Sequence, residues 1–193
     1  MTVVLIVGGY QFYFWAQRRR WFRARRLETR FDALIAYDPR WVWVYSGLYY
    51  PMIVLAALSI PTWQDYARAV GCYLALLAVQ VAFFLLLPVE IPVEWRTRWR
   101  APWEGTWSQR FLDLVWSFDR LRNSMPSMHV SVATVTDLVI WREWPAAGVA
   151  GIAFPLLIAA SALKTKQHYV VDVVPGALLG AAVFWAWHRF ACG

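Results

Sequence analysis

The chain has 193 residues, of which 60% are hydrophobic and 18% aromatic, and its mean hydropathy of +0.41 is high for a soluble domain. A formal net charge of +7 can indicate a nucleic-acid partner. In a chain this apolar, cations that flank membrane spans and meet anionic headgroups are the simpler interpretation, so we expect membrane lipids and no nucleic acid as partners.

Six stretches are apolar and long enough to be interpreted as membrane-crossing helices, which need roughly 20 residues each. They are about 2–16, 41–60, 70–88, 127–142, 145–163 and 169–187. The first is short, but it has no basic segment before it and no small-residue cleavage site, so we do not interpret it as a secretory signal. Since the six take up most of the chain, we predict one all-α domain over residues 1–193, an integral membrane six-helix bundle without a soluble module.

Two basic connections rich in tryptophan are predicted to lie at the membrane surface. Residues 17–40 begin QRRRWFRARR and place apolar side chains at helical spacing between the arginines, which favours an amphipathic helix in the headgroup plane. A solvated basic loop is the alternative. In 89–126, Trp95, Trp99 and Trp103 recur every four residues among arginines and favour a second interfacial element, although Pro102 interrupts a continuous helix there.

Positive charge is unevenly distributed among the connections. Loops 17–40, 89–126 and 164–168 carry eight arginines, six arginines and two lysines, whereas the remaining connections and the C-terminal end carry three arginines. With six spans the three basic loops share one face, and the positive-inside rule makes that face cytoplasmic. In the second and third of these loops, cations that bind a substrate phosphate would also raise the number of positive charges, whatever the sidedness.

Two of the three histidines open predicted spans at this face. His129 opens the fourth and His168 the sixth, whereas His188 lies about 20 residues further, roughly 30 Å along a helix, at the opposite face. Asp172 follows His168 by one helical turn, so it can accept the Nδ1 proton and leave Nε2 as a lone pair for nucleophilic or base chemistry. A hydrogen bond without catalytic purpose is the alternative, but polar groups in spans are costly and usually functional.

The segment RNSMPSMH, residues 122–129, is suited to an anion. Pro126 fits the first turn of a helix, where the early N–H groups lack internal partners and the dipole end is positive. Ser127 can donate its hydroxyl to a phosphate, or it can simply cap the helix. Lysine is a compact charge suited to phosphate, and the chain's two lysines both precede His168. The candidate substrate-binding residues are therefore Arg122, Asn123, Ser127, Met128, Lys164 and Lys166.

These motifs resemble those of the type 2 phosphatidic acid phosphatase superfamily. PSMH at 126–129 is similar to the family's second motif, Pro-Ser-Gly-His, with Met128 in place of glycine. HYVVD at 168–172 matches His-x-x-x-Asp of the third motif, and Gly176 stands where the family keeps its following glycine. The longer stretches RNSMPSMHVS and LKTKQHYVVDV most resemble the branch that includes inositol phosphorylceramide and sphingomyelin synthases. The resemblance extends from about residue 31 to residue 180.

Two features depart from the family pattern. The position of the third motif's arginine is Ala162, and Lys166 is its candidate substitute. No lysine precedes an Arg-Pro pair as in the first motif, and Arg96 and Arg100 are two candidates for its role. The active-site loops implied by the resemblance are residues 89–129 and 161–172.

The resemblance implies a mechanism without metal or other cofactor. His168 attacks phosphorus and forms a phosphohistidine, Asp172 orients its ring, and His129 protonates the leaving alkoxide and then activates the acceptor. With water as acceptor the protein is a lipid phosphate phosphatase acting on a phosphomonoester or pyrophosphate, which we favour. With an alcohol it is a phosphotransferase that moves a phospho-alcohol headgroup between lipids. The sequence is also compatible with a membrane scaffold or small channel, and with a metal hydrolase built on the same three residues.

Overall fold

The computed structural model describes residues 2–191, where the regular secondary structure is helical apart from two isolated β-bridges. The helices are α1 (Thr2–Arg18), α2 (Arg30–Leu34), α3 (Tyr49–Leu58), α4 (Trp63–Leu86), α5 (Trp95–Arg98), α6 (Trp107–Phe118), α7 (Met128–Glu143), α8 (Pro145–Gly151), α9 (Ala153–Lys164) and α10 (Val170–Phe190). A 3-10 turn, Pro39–Trp41, and a π-helix, Trp43–Leu48, lead into α3, and a second 3-10 turn, Ala101–Trp103, follows α5. The predicted all-α class is therefore confirmed for this range.

Four helical stretches within residues 2–191 are long and apolar enough to cross a membrane. They are Pro39–Leu58, Trp63–Leu86, Pro145–Lys164 and Val170–Phe190. The other two predicted spans correspond to α1 and α7, which have 17 and 16 residues, somewhat short of the roughly 20 that a straight crossing needs. The membrane setting therefore follows from four helices, and the count of six stays a prediction.

Helix α7 lies at the centre of the bundle. It packs against α3, α4, α8, α9 and α10, and nine of its residues are buried. A helix surrounded in this way contacts protein rather than lipid along most of its surface. Its position explains why its apolar residues show no one-sided pattern in the sequence, since every face meets another helix.

Helices α7 and α10 approach each other closely through small residues. A Cβ atom added to Gly176 would lie 2.7 Å from the carbonyl oxygen of Ser127, and one added to Gly180 would meet the carbonyl of Ser131. The main chains also bond directly, because Ser127 N–H donates to the carbonyl of Asp172 at 3.1 Å. Small residues four apart on both helices permit this approach, as in packed membrane helices generally. The contact brings together the N-terminal ends of α7 and α10.

The predicted surface helix over residues 17–40 is wrong for most of its length. Beyond Arg18 the chain is not helical until Arg30–Leu34. Between them it lies against the chain that follows α4: Arg25 N–H donates to the carbonyl of Pro88 at 3.0 Å, and Glu90 N–H donates to the carbonyl of Arg25 at 2.9 Å. These long-range main-chain bonds take the place of the intrahelical bonds that the apolar spacing predicted.

The second basic connection does contain an amphipathic helix, but downstream of the predicted one. The tryptophan repeat forms only the short α5 and the following 3-10 turn, consistent with Pro102. The longer helix is α6, which buries Gln109, Leu112 and Trp116 and exposes Trp107 and Phe118. Exposed aromatic side chains on such a helix are typical of the membrane–water interface.

Candidate active site

The tautomer of His168 is fixed by a main-chain carbonyl. Nδ1 of His168 lies 2.8 Å from the carbonyl oxygen of Ser124. A carbonyl oxygen can only accept, so Nδ1 carries the proton and Nε2 of the neutral ring holds the lone pair. This is the state that the sequence predicted, but Asp172 is not the hydrogen-bond partner, since its Oδ2 lies 3.5 Å from Nδ1.

Asp172 instead caps the helix that carries it. Its Oδ2 accepts a hydrogen bond from Tyr169 N–H at 2.9 Å, and its side chain is fully buried. The neighbouring Val170 N–H donates to Oδ1 of Asp32 at 2.7 Å. Two carboxylates thus occupy the N-terminal N–H groups of α10 and fix the start of this helix directly after His168.

His129 is held by aromatic side chains. It lies in the first turn of α7, where Ser127 is the N-cap and accepts from Val130 N–H at 3.4 Å. Its Nδ1 is 3.0 Å from the hydroxyl of Tyr45, and the two rings stack with centroids 4.1 Å apart. Tyr45 lies on the π-helix, a distortion often found at functional sites. Sequence analysis did not identify Tyr45.

The two histidine rings border the same cavity, with centroids 6.3 Å apart. The cavity has a volume of about 560 Å³ and is enclosed by α1, the π-helix, α6 and the loop of residues 119–124. Among the side chains that the structure describes, no hydrogen bond reaches Nε2 of either ring, and the bonds of both rings are at Nδ1. In the cavity wall, Oγ of Ser124 and Oδ1 of Asn123 are buried and also without a partner in the described part of the chain. Polar atoms without a hydrogen-bond partner therefore belong to residues of this cavity wall.

Two of the predicted phosphate ligands line this cavity. Arg122 is the one arginine or lysine in the described cavity wall, and its guanidinium also donates to the carbonyl of Phe22 at 3.2 Å. Asn123 is anchored by a bond from Nδ2 to the carbonyl of Tyr13 at 3.2 Å. Ser127 and Met128 are not part of the wall: the hydroxyl of Ser127 caps α7, which is the alternative that its position left open, and Met128 packs against the central apolar core.

The two lysines are not in the cavity wall either. The buried ammonium of Lys166 donates to the carbonyls of Asp32 and Ile35 at 2.7 and 2.6 Å and lies over the ring of Trp99 at 4.8 Å. Burial lowers the pKa of Lys166. Its contacts fasten α2 to the loop that precedes His168. The half-buried Lys164 lies near the carboxylate of Asp38, whose pKa it helps to lower after the dominant hydrogen bond from Arg40.

The two candidates for the first motif are paired with acids of the α6 region. Arg96 forms an ion pair with Asp119 and donates to the carbonyls of Trp116 and Asp119 at 3.1 and 3.2 Å. Burial lowers the pKa of Arg96, an effect that the charge of Asp119 opposes. Arg100 donates to Asp113 at 2.7 Å. Neither arginine lines the cavity, whereas Asp119 does.

Asp119, which sequence analysis also missed, organises the loop that holds His168. Its Oδ1 accepts from Gln17 Nε2 at 2.7 Å and from Leu121 N–H at 3.1 Å. Leu121 and Asn123 have φ angles of 64° and 70°, so the loop needs such support. The loop then presents the carbonyl of Ser124 to the ring. The one sequence signal for this role is an acid directly after an amphipathic helix and before the PSMH motif.

The comparison with known families agrees with this geometry. The family model of the PAP2 superfamily matches residues 17–186, a range that includes both histidine motifs and, among the described residues of the cavity wall, all except three on α1. No curated protein and no solved structure matches the chain. Members of this superfamily are typically membrane-bound phosphatases or phosphotransferases. Since the match covers most of its length, the chain belongs to the PAP2 superfamily.

Proposed function

We propose that this protein is a membrane-embedded lipid phosphate phosphatase that hydrolyses a lipid phosphomonoester or pyrophosphate through a phosphohistidine. The observation that carries the proposal is the 6.3 Å separation of the rings of His129 and His168 across one cavity. Reacting atoms in a near-attack arrangement are about 3–3.5 Å apart. One phosphorus centre with its leaving oxygen can therefore lie between the two rings.

In the first step Nε2 of His168 attacks phosphorus in line with the leaving alkoxide. The N–P bond forms, the P–O bond breaks, and protonated His129 gives its proton to the departing oxygen. Nδ1–H of His168 remains bonded to the carbonyl of Ser124 throughout. The carboxylate of Asp172, 3.5 Å from Nδ1, stabilises the positive charge that develops on the ring.

In the second step His129, now neutral, accepts a proton from a water molecule as the water attacks phosphorus. The N–P bond breaks, inorganic phosphate leaves, and both histidines return to their starting protonation states. Arg122 and Ser124 line the same cavity and are the donors for the phosphoryl oxygens in this proposal, whereas the unpaired Oδ1 of Asn123 can only accept a hydrogen bond. The proposal includes no metal or other cofactor.

The walls of the cavity support a lipid substrate. Beside its polar residues the cavity is lined by apolar and aromatic side chains, among them Phe14 of α1, Tyr50 of α3 and Phe111, Leu114 and Phe118 of α6. Leu114 and Phe118 are exposed, so the apolar wall continues to the outer surface of the protein. In a membrane protein such a surface meets acyl chains, which can follow it into the cavity.

The test is a substrate panel of lipid monophosphates and diphosphates with purified protein in detergent. We expect phosphate release that is insensitive to EDTA and falls by more than about 10³ in His168→Ala. Incubation of the wild type with ³²P-labelled substrate followed by rapid alkaline quenching should trap acid-labile label on protein, and His168→Ala should trap none. Activity that survives in His168→Ala would refute the proposal.

The same assay with an added alcohol or lipid acceptor separates hydrolysis from transfer. We expect inorganic phosphate as the main product whether or not the acceptor is present. A phosphomonoester of the acceptor, formed at the expense of inorganic phosphate, would instead assign the protein as a phosphotransferase, with the same histidines in the same roles.

A further inference from the structure

A second groove lies between residues 22–27 and the C-terminal end of α4. It has a volume of about 1150 Å³, and it shares no lining residue with the histidine cavity. One wall carries Arg23, Arg25 and Arg26, and the other carries Phe83, Leu86 and Leu87. Nothing in the proposed reaction uses this groove.

The basic wall has charge that the protein does not neutralise. Arg26 is paired with Glu90 at 3.4 Å and lies 3.9 Å from Glu94. Arg23 and Arg25 are exposed, and their side chains form no ion pair or hydrogen bond with any residue whose side chain the structure describes. Two guanidinium groups two residues apart are thus available to an anion at the groove.

The apolar wall is the end of a helix long enough to cross a membrane. Leu86, the last residue of the apolar span, is 60% exposed, and Leu87, which follows it, is 55% exposed. On the opposite side Trp21 and Phe22 are 62% and 51% exposed. Apolar side chains at a helix end, with exposed aromatic rings and arginines beside them, mark the boundary between hydrocarbon and headgroups.

The two walls are held at a fixed distance. The main chain of Arg25 is bonded to Pro88 and Glu90 at 3.0 and 2.9 Å, so the arginine segment is attached to the chain that leaves α4. The guanidinium groups therefore cannot withdraw from the apolar wall as they would in a loose basic tail. An occupant of the groove must satisfy a positive and an apolar surface together.

We infer that the groove binds an anionic phospholipid of the surrounding bilayer. Its phosphate lies between Arg23 and Arg25, and one acyl chain lies along Phe83, Leu86 and Leu87. A free phosphate would use only the basic wall and a neutral lipid only the apolar one, whereas an anionic phospholipid uses both. The inference does not depend on the reaction at the histidines.

The test is lipid retention by the full-length protein, measured by native mass spectrometry after transfer from nanodiscs of equal phosphatidylglycerol and phosphatidylcholine. We expect the wild type to retain phosphatidylglycerol selectively. Each basic side chain near the headgroups contributes about 1 kcal/mol to anionic lipid binding, so Arg23→Gln combined with Arg25→Gln should lower retention by roughly tenfold or more.

The matched control is Arg30→Gln combined with Arg110→Gln. These arginines are exposed, Arg30 in the same connection as Arg23 and Arg25 and Arg110 in residues 89–126. They lie outside the groove, over the rings of Phe31 and Trp107. We expect this variant to retain phosphatidylglycerol as the wild type does. Equal loss in both variants would show diffuse electrostatic attraction and overturn the site, as would unchanged retention in the groove variant. Displacement of the lipid by millimolar glycerol phosphate would overturn the role of the apolar wall.

Discussion

Nδ1 of His168 donates to the carbonyl oxygen of Ser124 at 2.8 Å, while the carboxylate of Asp172 lies 3.5 Å from the same nitrogen. The main chain therefore sets the tautomer, and the carboxylate adds negative charge near the ring. In a triad whose acid sets the tautomer, the amide variant presents the wrong tautomer and loses about 10⁴ in kcat. In this protein two different groups therefore carry the two roles.

Asp172→Asn should lower kcat by about 10², less than in such a triad, because the tautomer is retained and only the charge is lost. The amide oxygen can still accept from Tyr169 N–H, so we expect the unfolding temperature to change little. Steady-state kinetics and thermal unfolding of the two proteins measure both effects. Loss of activity as complete as in His168→Ala, in a folded protein, would contradict the division of roles.

Tyr45→Phe should slow the reaction while the site remains intact. The substitution removes the hydroxyl that contacts Nδ1 of His129 and keeps the stacked ring. A hydrogen bond of this kind contributes about 0.5–1.5 kcal/mol, so we expect kcat to fall roughly two- to tenfold. We also expect the alkaline limb of the pH–rate profile, where the proton of His129 is lost, to move. Tyr73→Phe removes a tyrosine hydroxyl bonded to Thr136 at 2.8 Å, away from the cavity, and is the matched control. The same shift of the pH profile in both variants would argue against a specific role for Tyr45.

Lys166→Met should lower the stability of the protein with little effect on KM, whereas Arg122→Gln should raise KM with little effect on stability. Lys166 donates to two main-chain carbonyls, so its loss should destabilise the protein by about 1–3 kcal/mol, with little change in KM for the folded fraction. Arg122 lines the cavity, so its loss should raise KM roughly tenfold with little change in stability. Arg120→Gln, an exposed neighbour, controls for general charge effects. A raised KM and unchanged unfolding temperature in Lys166→Met would restore the role as phosphate ligand that its place in the motif predicted.

The histidine motifs could be predicted from the sequence because their spacing is local. His168 and Asp172 are one helical turn apart, and the PSMH segment marks the start of α7. The partners of the basic residues could not be predicted in this way. Lys166 donates to carbonyls more than 130 residues away, and Arg96 pairs with Asp119, which follows the intervening helix α6. A basic side chain next to a catalytic motif looks the same in sequence whether it binds substrate or fastens the fold.

The elements of the fold also differ in whether the sequence alone could predict them. Hydropathy identified the long apolar helices, since length and composition are enough for that. The helix predicted over residues 17–40 failed because its apolar spacing reflects contacts with several elements rather than one buried face. For example, Leu27 packs near Val89 and Trp95 instead of against its own helix neighbours.

Gly176→Ala should impair both stability and catalysis. A Cβ atom there would lie 2.7 Å from the carbonyl of Ser127, in the contact that brings His129 and His168 together. We expect the free energy of unfolding to fall by about 1–3 kcal/mol and kcat to fall at least tenfold. Gly9→Ala, whose Cβ would make an ordinary 3.5 Å contact with Leu77, is the matched control and should behave as the wild type. Wild-type activity in Gly176→Ala would show that this contact does not position the rings.

The membrane sidedness can be tested independently of the number of spans. Residues 20 and 105 lie in the two arginine-rich connections, which the Arg25–Val89 bridge joins at one end of the bundle. Gln64 lies near the other end of α4, roughly 30 Å away along its axis.

In a background with Cys72 and Cys192 replaced by serine, an impermeant thiol reagent should label Gln64→Cys in intact cells. Arg20→Cys and Gly105→Cys should be labelled only after permeabilisation, because the arginine excess predicts a cytoplasmic face. Labelling of either from outside would place the histidine cavity on the external side instead.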